Sequence, residues 1–173
     1  RVALSVDAPR LVVVSHLVNQ TTRELLDVCI RAVKRFTPEP HELWVVDNNS
    51  PEEHVAWLRH QVDVNLALSR TEPLPPEART PESSEGEPPN QQAWGSYANA
   101  VALEIAVRLI EPESHYLMPL HMDALPCRSG WLSFLEGKIA GKTAAAGVRM
   151  DRTRTPEGGL HVLGYLAHYR IFR

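Results

Sequence analysis

The chain has 173 residues, of which 43% are hydrophobic and 23% charged, with a formal net charge of -3. That length suits one domain with a real core, or one domain and part of another, in a globular composition class. No basic surplus marks a nucleic-acid partner, no apolar run nears the roughly 18 residues of a membrane span, and Cys29 and Cys127 show neither CxxC spacing nor a disulfide framework.

With no signal peptide visible, a reducing cytoplasmic setting is the default expectation. The chain opens on Arg1 and closes on "AHYRIFR", which reads as a fragment or a processed piece. "LVVVS" (11–15) is a continuous β-branched run, expected as a strand covered on both faces. In "TTRELLDVCIRAVKRF", Leu25, Leu26, Cys29, Ile30, Val33 and Phe36 recur at helical spacing. Thr21 with Glu24 fits a capping box at the start of that helix, and "TPEP" stops it. "ELWVVD" (42–47) is a second apolar strand. Ser50-Pro51-Glu52-Glu53 predicts a new helix with serine as its cap and proline in the first turn. "VNLALS" (64–69) reads as a short third strand. From Arg70 to Ala93 the chain is rich in Pro, Glu and Ser and poor in apolar residues, which predicts a long mobile loop.

Helical spacing returns over 96–110, with Ala98, Val101, Ala102, Ile105 and Leu109 on one face. "HYLMPLHMD" (115–123) reads as a buried strand ending in an acid, 129–139 as a helix with a serine cap, 143–150 as a strand and 158–172 as an extended apolar segment. Strands alternating with helices predict one α/β domain around a mostly parallel central sheet, with helices on both faces.

Three of the runs end in polar clusters: "LVVVSHLVN", "LWVVDNNS" and "LMPLHMD". Ligands of open α/β sheets bind beyond the carboxyl ends of the strands. Ser15, His16, Asn19, Asp47, Asn48, Asn49, Ser50, His121 and Asp123 would therefore gather along one edge. An Asp there can accept from a base N–H or sugar hydroxyls, or hold a divalent cation through oxygen. The competing reading of Asp47 to Ser50 is a strand-to-helix turn, for which Asx and Ser are favoured.

The segment "VVVSHLVNQTTRELLDVCIRAV…ELWVVDNNSPEE" resembles the nucleotide-binding opening of the family 2 glycosyltransferases. "GSYANAVALEIAV" is similar to that family's next helix start. "YLMPLHMDALPCRSGWLSFL" is similar to the strand carrying its metal motif and the Gly-Trp-Leu helix after it. The likeness covers roughly residues 11 to 150 and is nearest to the rhamnosyltransferase-like branch. It implies a GT-A-like nucleotide-diphospho-sugar transferase fold, and a glycosyltransferase of cell-wall or polysaccharide biosynthesis that acts with inversion. It also implies a nucleotide-diphosphate sugar as donor and a saccharide or lipid-linked acceptor, so peripheral membrane association stays open. By the same resemblance Asp47 would contact the base or ribose, with Asn49 and Ser50 in the turn beside it. Ser15 and His16 would border the nucleotide, and Asn99 would face the donor. Asp123, helped by His121, would hold Mg²⁺ or Mn²⁺ against the diphosphate, where the ion offsets charge on the leaving group.

Departures from the family pattern keep alternatives open. The metal motif reads His121-Met122-Asp123, with an imidazole where the family has an acid. Imidazole suits Mn²⁺ better than Mg²⁺. An inverting transferase also needs a carboxylate base. Glu136, Asp151 and Glu157 read as solvated, so no base is assigned, and the acceptor-binding half looks short or missing. A catalytically incomplete nucleotide-sugar-binding module is the alternative. A metal hydrolase built on His115, His121, Asp123, His161 and His168 is disfavoured, since six strand residues put His115 roughly 20 Å from His121. Cys29 is expected to be buried and inert, and Trp44, Trp57 and Trp131 to be packing residues. Trp94 is placed to cover a bound nucleotide.

Overall fold

Residues 11 to 14 send alternate side chains into two apolar layers, and that alternation organises the molecule. The computed structural model describes residues 8–70, 91–109, 116–139, 141–149 and 162–168, and for 91–96, 148–149 and 162–168 the backbone alone. Its elements are β1 (Arg10–Ser15), α1 (Gln20–Phe36), β2 (Glu42–Asn48), α2 (Glu52–Arg59), β3 (Asn65–Ser69), α3 (Gln91–Leu109), β4 (Tyr116–His121), α4 (Trp131–Glu136), β5 (Ala145–Arg149) and β6 (Val162–His168). The strands form one sheet in the order β3-β2-β1-β4-β6-β5. β1 runs parallel to β2 and β4, and β2 parallel to β3. β6 is antiparallel to both β4 and β5. The mostly parallel α/β architecture expected from the sequence is present, and the antiparallel β6 is an addition that the alternation of elements did not foretell.

One layer joins Leu11 and Val13 of β1, Leu43 and Val45 of β2 and Met118 and Leu120 of β4. Against them pack Leu26, Cys29, Ile30 and Val33 of α1, Leu58 of α2, and Leu132 and Leu135 of α4. The other layer joins Val12, Val46 and Leu117 to Ala102 and Ala106 of α3. Odd positions of β1 and β2 therefore face α1, and even positions face α3, as the two-residue strand period requires. Small residues on α3 let that helix approach the sheet closely. Both strand faces are covered, which is what continuous β-branched runs demand.

Three predicted caps are corrected. The α1 cap is Asn19, not Thr21: the Asn19 side chain accepts from the Thr22 amide at 2.9 Å, and Thr22 Oγ1 accepts from the Asn19 amide at 3.2 Å. Thr22 takes the position usually held by Glu or Gln, because its hydroxyl both donates and accepts. Ser50 does not cap α2. Pro51 is the N-cap there, without a side-chain hydrogen bond, because the Ser50 hydroxyl is engaged elsewhere. Gly130, at φ 81, precedes α4 in place of the expected Ser129; the left-handed conformation favours glycine. Of the expected loop at 70–93, residues 71–90 lie outside the described residues, and residues 91–93 belong to α3, which starts earlier than expected.

Glu39, in the connection between α1 and β2, accepts from the Ser133 amide at 3.3 Å and from its hydroxyl at 2.5 Å. Burial pushes the Glu39 carboxyl up, but these bonds outweigh it and leave it below the usual range. Glu136 is half-buried rather than on a solvated face. Burial first, and the Glu39 charge second, raise its carboxyl above the usual range. A raised carboxyl means that the folded state binds more protons, so Glu136 weakens the fold once pH exceeds the unfolded value of about 4.3. Glu136→Gln is expected to raise the melting temperature at pH 7, with the gain vanishing below about pH 4. Thermal melts across that range check it, and an equal gain at pH 3 would contradict the electrostatic cause.

Candidate functional site

Strand order reverses between β1 and β4, because β2 and β3 extend the sheet to one side of β1 and β4 starts the other side. Such a switch point opens a crevice at the carboxyl ends of the two strands. A cleft of about 270 Å³ lies there. Val14 and His16 at the end of β1, Asn48 at the end of β2, and His121, Met122 and Asp123 at the end of β4 line it. Leu25 of α1 and Ala98 and Asn99 of α3 complete the wall. A recess of about 330 Å³ over α4, lined by Arg128, Ser129, Gly130, Trp131, Phe134 and Leu135, is slightly larger but gathers no strand-end polar groups.

The polar groups of the cleft are held from behind. Asn48 is 1% exposed. Its Nδ2 donates to the Ala98 carbonyl at 2.8 Å, while its Oδ1 is buried without a hydrogen-bond partner. Buried acceptors are rarely left unpaired without a reason, and this one belongs to a cleft-lining residue. His16 Nδ1 lies 2.8 Å from the Asn48 carbonyl oxygen. A carbonyl only accepts, so Nδ1 carries the proton and the ring tautomer is set. His121 and Asp123 are exposed on the opposite wall. Beneath them Cys29 is fully buried, with Sγ 3.6 Å from the Ala124 carbonyl. Burial first, and the Asp123 charge second, push its thiol up to about 11. It is an inert core thiol, as expected, and both cysteines are free.

Of the residues singled out from the sequence, the structure brings His16, Asn99, His121 and Asp123 into the cleft. It does not bring Ser15, Asp47, Asn49 or Ser50 there. Ser15, Asp47 and Ser50 are at most 4% exposed and lie among one another's hydrogen bonds. Asn49 turns away in the left-handed region at φ 62, its amide donating to the Ser69 carbonyl at 3.1 Å. Asn is one of the few residues that tolerate that conformation. Asn48, expected at the strand-end edge but given no role of its own by the family likeness, lines the cleft in place of Asp47. Its signal was available: it shares strand parity with Val46, so it faces α3 and the cleft, whereas Asp47 shares parity with Val45 and faces α1.

Among the described residues no group of three or more His, Cys, Asp or Glu side chains could hold a metal ion. Of the histidine-rich hydrolase set, His115, His161 and the His168 side chain lie outside the described residues, as do Asp151, Glu157 and the Trp94 side chain. Trp131 is a packing residue with a satisfied indole, its Nε1 donating to Thr37 Oγ1 at 3.0 Å. Trp57 packs against the same layer, with the Arg23 guanidinium 5.2 Å from its ring centre. Trp44 packs in the α3 layer.

No family model matches the chain, and no curated protein matches it. Solved structures do. The 4-diphosphocytidyl-2C-methyl-D-erythritol synthase of Anaerococcus prevotii is similar to it at TM-score 0.53 and 11% identity, over 96% of this chain and 74% of that one. Mouse xyloside xylosyltransferase 1 is similar at TM-score 0.53 and 14% identity, over 96% and 68%. An active-site mutant of LgtC is similar at TM-score 0.53 and 13% identity, over 95% and 59%. The fold is GT-A-like. It is the fold of nucleotide-sugar transferases, shared here at very low identity. The chain spans 59% of the LgtC structure and 38% of S. aureus TarS, which it matches at TM-score 0.50 and 13% identity.

No helix among the described residues is long and apolar enough to cross a membrane.

Proposed function

We propose that the switch-point cleft binds a nucleoside-diphosphate sugar and that the chain transfers the sugar to a saccharide or lipid-linked hydroxyl. The observation that carries this reading is the pairing of two amide side chains, Asn48 and Asn99, with Asp123 in one crevice of a GT-A-like fold. Asn48 lines the cleft and its side-chain acceptor is unpartnered, so a small turn of the buried amide would offer it to an N–H or O–H of the nucleoside. Asp123 and His121 offer two donors for a divalent cation. That is enough for an ion such as Mg²⁺ or Mn²⁺, which commonly takes one or two protein ligands and completes its shell from phosphates and water. The histidine favours Mn²⁺. When bound, such an ion offsets negative charge on the diphosphate leaving group. By this reading Asn48 and Asn99 orient the nucleoside, and Asp123 and His121 would hold the ion against its phosphates.

Isothermal titration with UDP, GDP and dTDP, each with and without Mn²⁺, tests the proposal. One nucleotide is expected to bind, and to bind more tightly with Mn²⁺. No binding by any of the three in either condition would overturn it. The rhamnosyltransferase-like wording of the motifs makes rhamnose the first sugar to assay for transfer.

One observation favours a second reading, a nucleotide-sugar-binding module that does not complete the reaction. Among the described residues, Asp123 is the one carboxylate lining the cleft. A carboxylate occupied by a metal cannot also deprotonate the acceptor. Donor turnover by the purified chain excludes this reading; tight donor binding with no turnover supports it.

A further inference from the structure

We infer that Asp47 is a positioning residue, set beneath the cleft to hold His16 and Asn48 in place, rather than a group that touches the ligand. Asp47 is 0% exposed, and its carboxylate is committed within the protein. Oδ1 accepts from the Ser50 hydroxyl at 2.5 Å and from the Ser15 hydroxyl at 3.2 Å, and Oδ2 accepts from the Ser50 amide at 3.0 Å. The Ser50 hydroxyl, having spent its proton on Asp47, accepts from the Leu17 amide at 2.7 Å. Ser15 and Leu17 are the two chain neighbours of His16, and both are tied to this cluster. Asn48 is the chain neighbour of Asp47, and its carbonyl accepts the hydrogen bond from His16 Nδ1–H. The register agrees: Ser15 lies opposite Asp47 across the β1–β2 pair.

The consequence is a division of labour by strand parity. Odd positions 15 and 47 point to the α1 side and make a buried clip between β1 and β2. Even positions 14, 16 and 48 reach the cleft. The carboxylate joins three donors from two chain segments, so the loop after β1 and the turn after β2 move as one unit. Losing one arm should let His16 drift although nothing in the cleft has been changed. Residues that orient a site from behind typically alter affinity by about 10–100-fold when removed, as outer partners of metal sites do.

The inference rests on the cleft being the nucleotide site, but its first readout does not need a ligand. In the free chain, nitrogen NMR of the His16 ring is expected to show the Nδ1–H tautomer. Ser50→Ala removes the acceptor for the Leu17 amide and one donor to Asp47. It is expected to give a folded chain in which the His16 signals move towards a tautomer mixture, and Ser50→Thr, which keeps the hydroxyl, is expected to restore them. Ser15→Ala breaks the weaker arm and serves if Ser50→Ala does not fold. Nucleotide affinity should follow the His16 signal, falling about tenfold or more in Ser50→Ala and recovering in Ser50→Thr. A His16 ring indifferent to both alanine variants would overturn the inference, whether or not any nucleotide binds. So would an Asp47→Asn variant that loses affinity while the His16 tautomer stays as it was, since Asp47 would then act on the ligand directly. Absence of nucleotide binding in the unaltered chain would instead count against the cleft reading and leave the ring measurement to decide the role of Asp47.

Discussion

Asp123→Ala is expected to abolish the Mn²⁺ enhancement of nucleotide binding, a loss on the order of a hundredfold, with metal-free binding little changed. Removing even an outer partner of a metal ligand costs about 10–100-fold, so loss of the carboxylate itself falls at or beyond the upper end. The fold should be spared, because Asp123 is exposed and substitutions at such positions usually stay within about 0.5 kcal/mol. Two structural readouts accompany the titration. The Cys29 thiol should fall from about 11, since Asp123 supplies part of its rise, yet stay above its ordinary value because burial is the larger cause. His121→Ala should weaken Mn²⁺ more than Mg²⁺, because imidazole contributes little to a hard oxygen-seeking ion. Full retention of the Mn²⁺ effect in Asp123→Ala would remove this residue from the metal site.

Glu42→Ala is expected to destabilise the protein by about 3–5 kcal/mol. Arg10 and Glu42 are paired at 2.8 Å, with side chains 6% and 4% exposed. They lie opposite each other in the β1–β2 register, and the same Glu42 oxygen accepts from Trp44 Nε1 at 2.9 Å. Truncating the acid removes the carboxylate that the buried Arg10 guanidinium meets at 2.8 Å and the acceptor of the Trp44 indole N–H. Removing the carboxylate from a buried ion pair is what makes this costly; the pair itself is worth little compared with an apolar replacement. The double substitution Arg10→Met with Glu42→Leu should therefore recover most of the loss. In a protein of this size the single variant should melt on the order of 10 °C lower. Denaturant and thermal unfolding of the three variants check this. A single-variant cost under about 1 kcal/mol would mean that the pair is solvated in solution.

Much of the cleft's lining was legible because strand ends announce themselves. His16, His121 and Asp123 follow apolar runs that stop abruptly, and the sheet carries all three to one crevice. Leu25 and Ala98 were not legible as site residues. They sit within helices, and how a helix rotates over a sheet is set by packing between distant segments. Ser15, Asp47 and Ser50 stood out by residue type, and the family likeness matched their letters, but letters do not say which way a strand-end side chain points. Their parity with Val13 and Val45 turns them inward. The predicted caps failed for a related reason: Ser50 has the chemistry of a cap, but a long-range bond from the Leu17 amide claimed its hydroxyl.

Local sequence by itself determined which segments are strands and helices and that the sheet is mostly parallel, because side-chain period and turn chemistry act over a few residues. It also determined that the polar groups stand at the strands' carboxyl ends. Only the tertiary structure decided that β4 lies beside β1, that β6 runs antiparallel between β4 and β5, and that Asn48 rather than Asp47 faces the cleft. Those are matters of pairing and register between segments tens of residues apart, where the selecting energy is the fit of whole layers and no short stretch carries it.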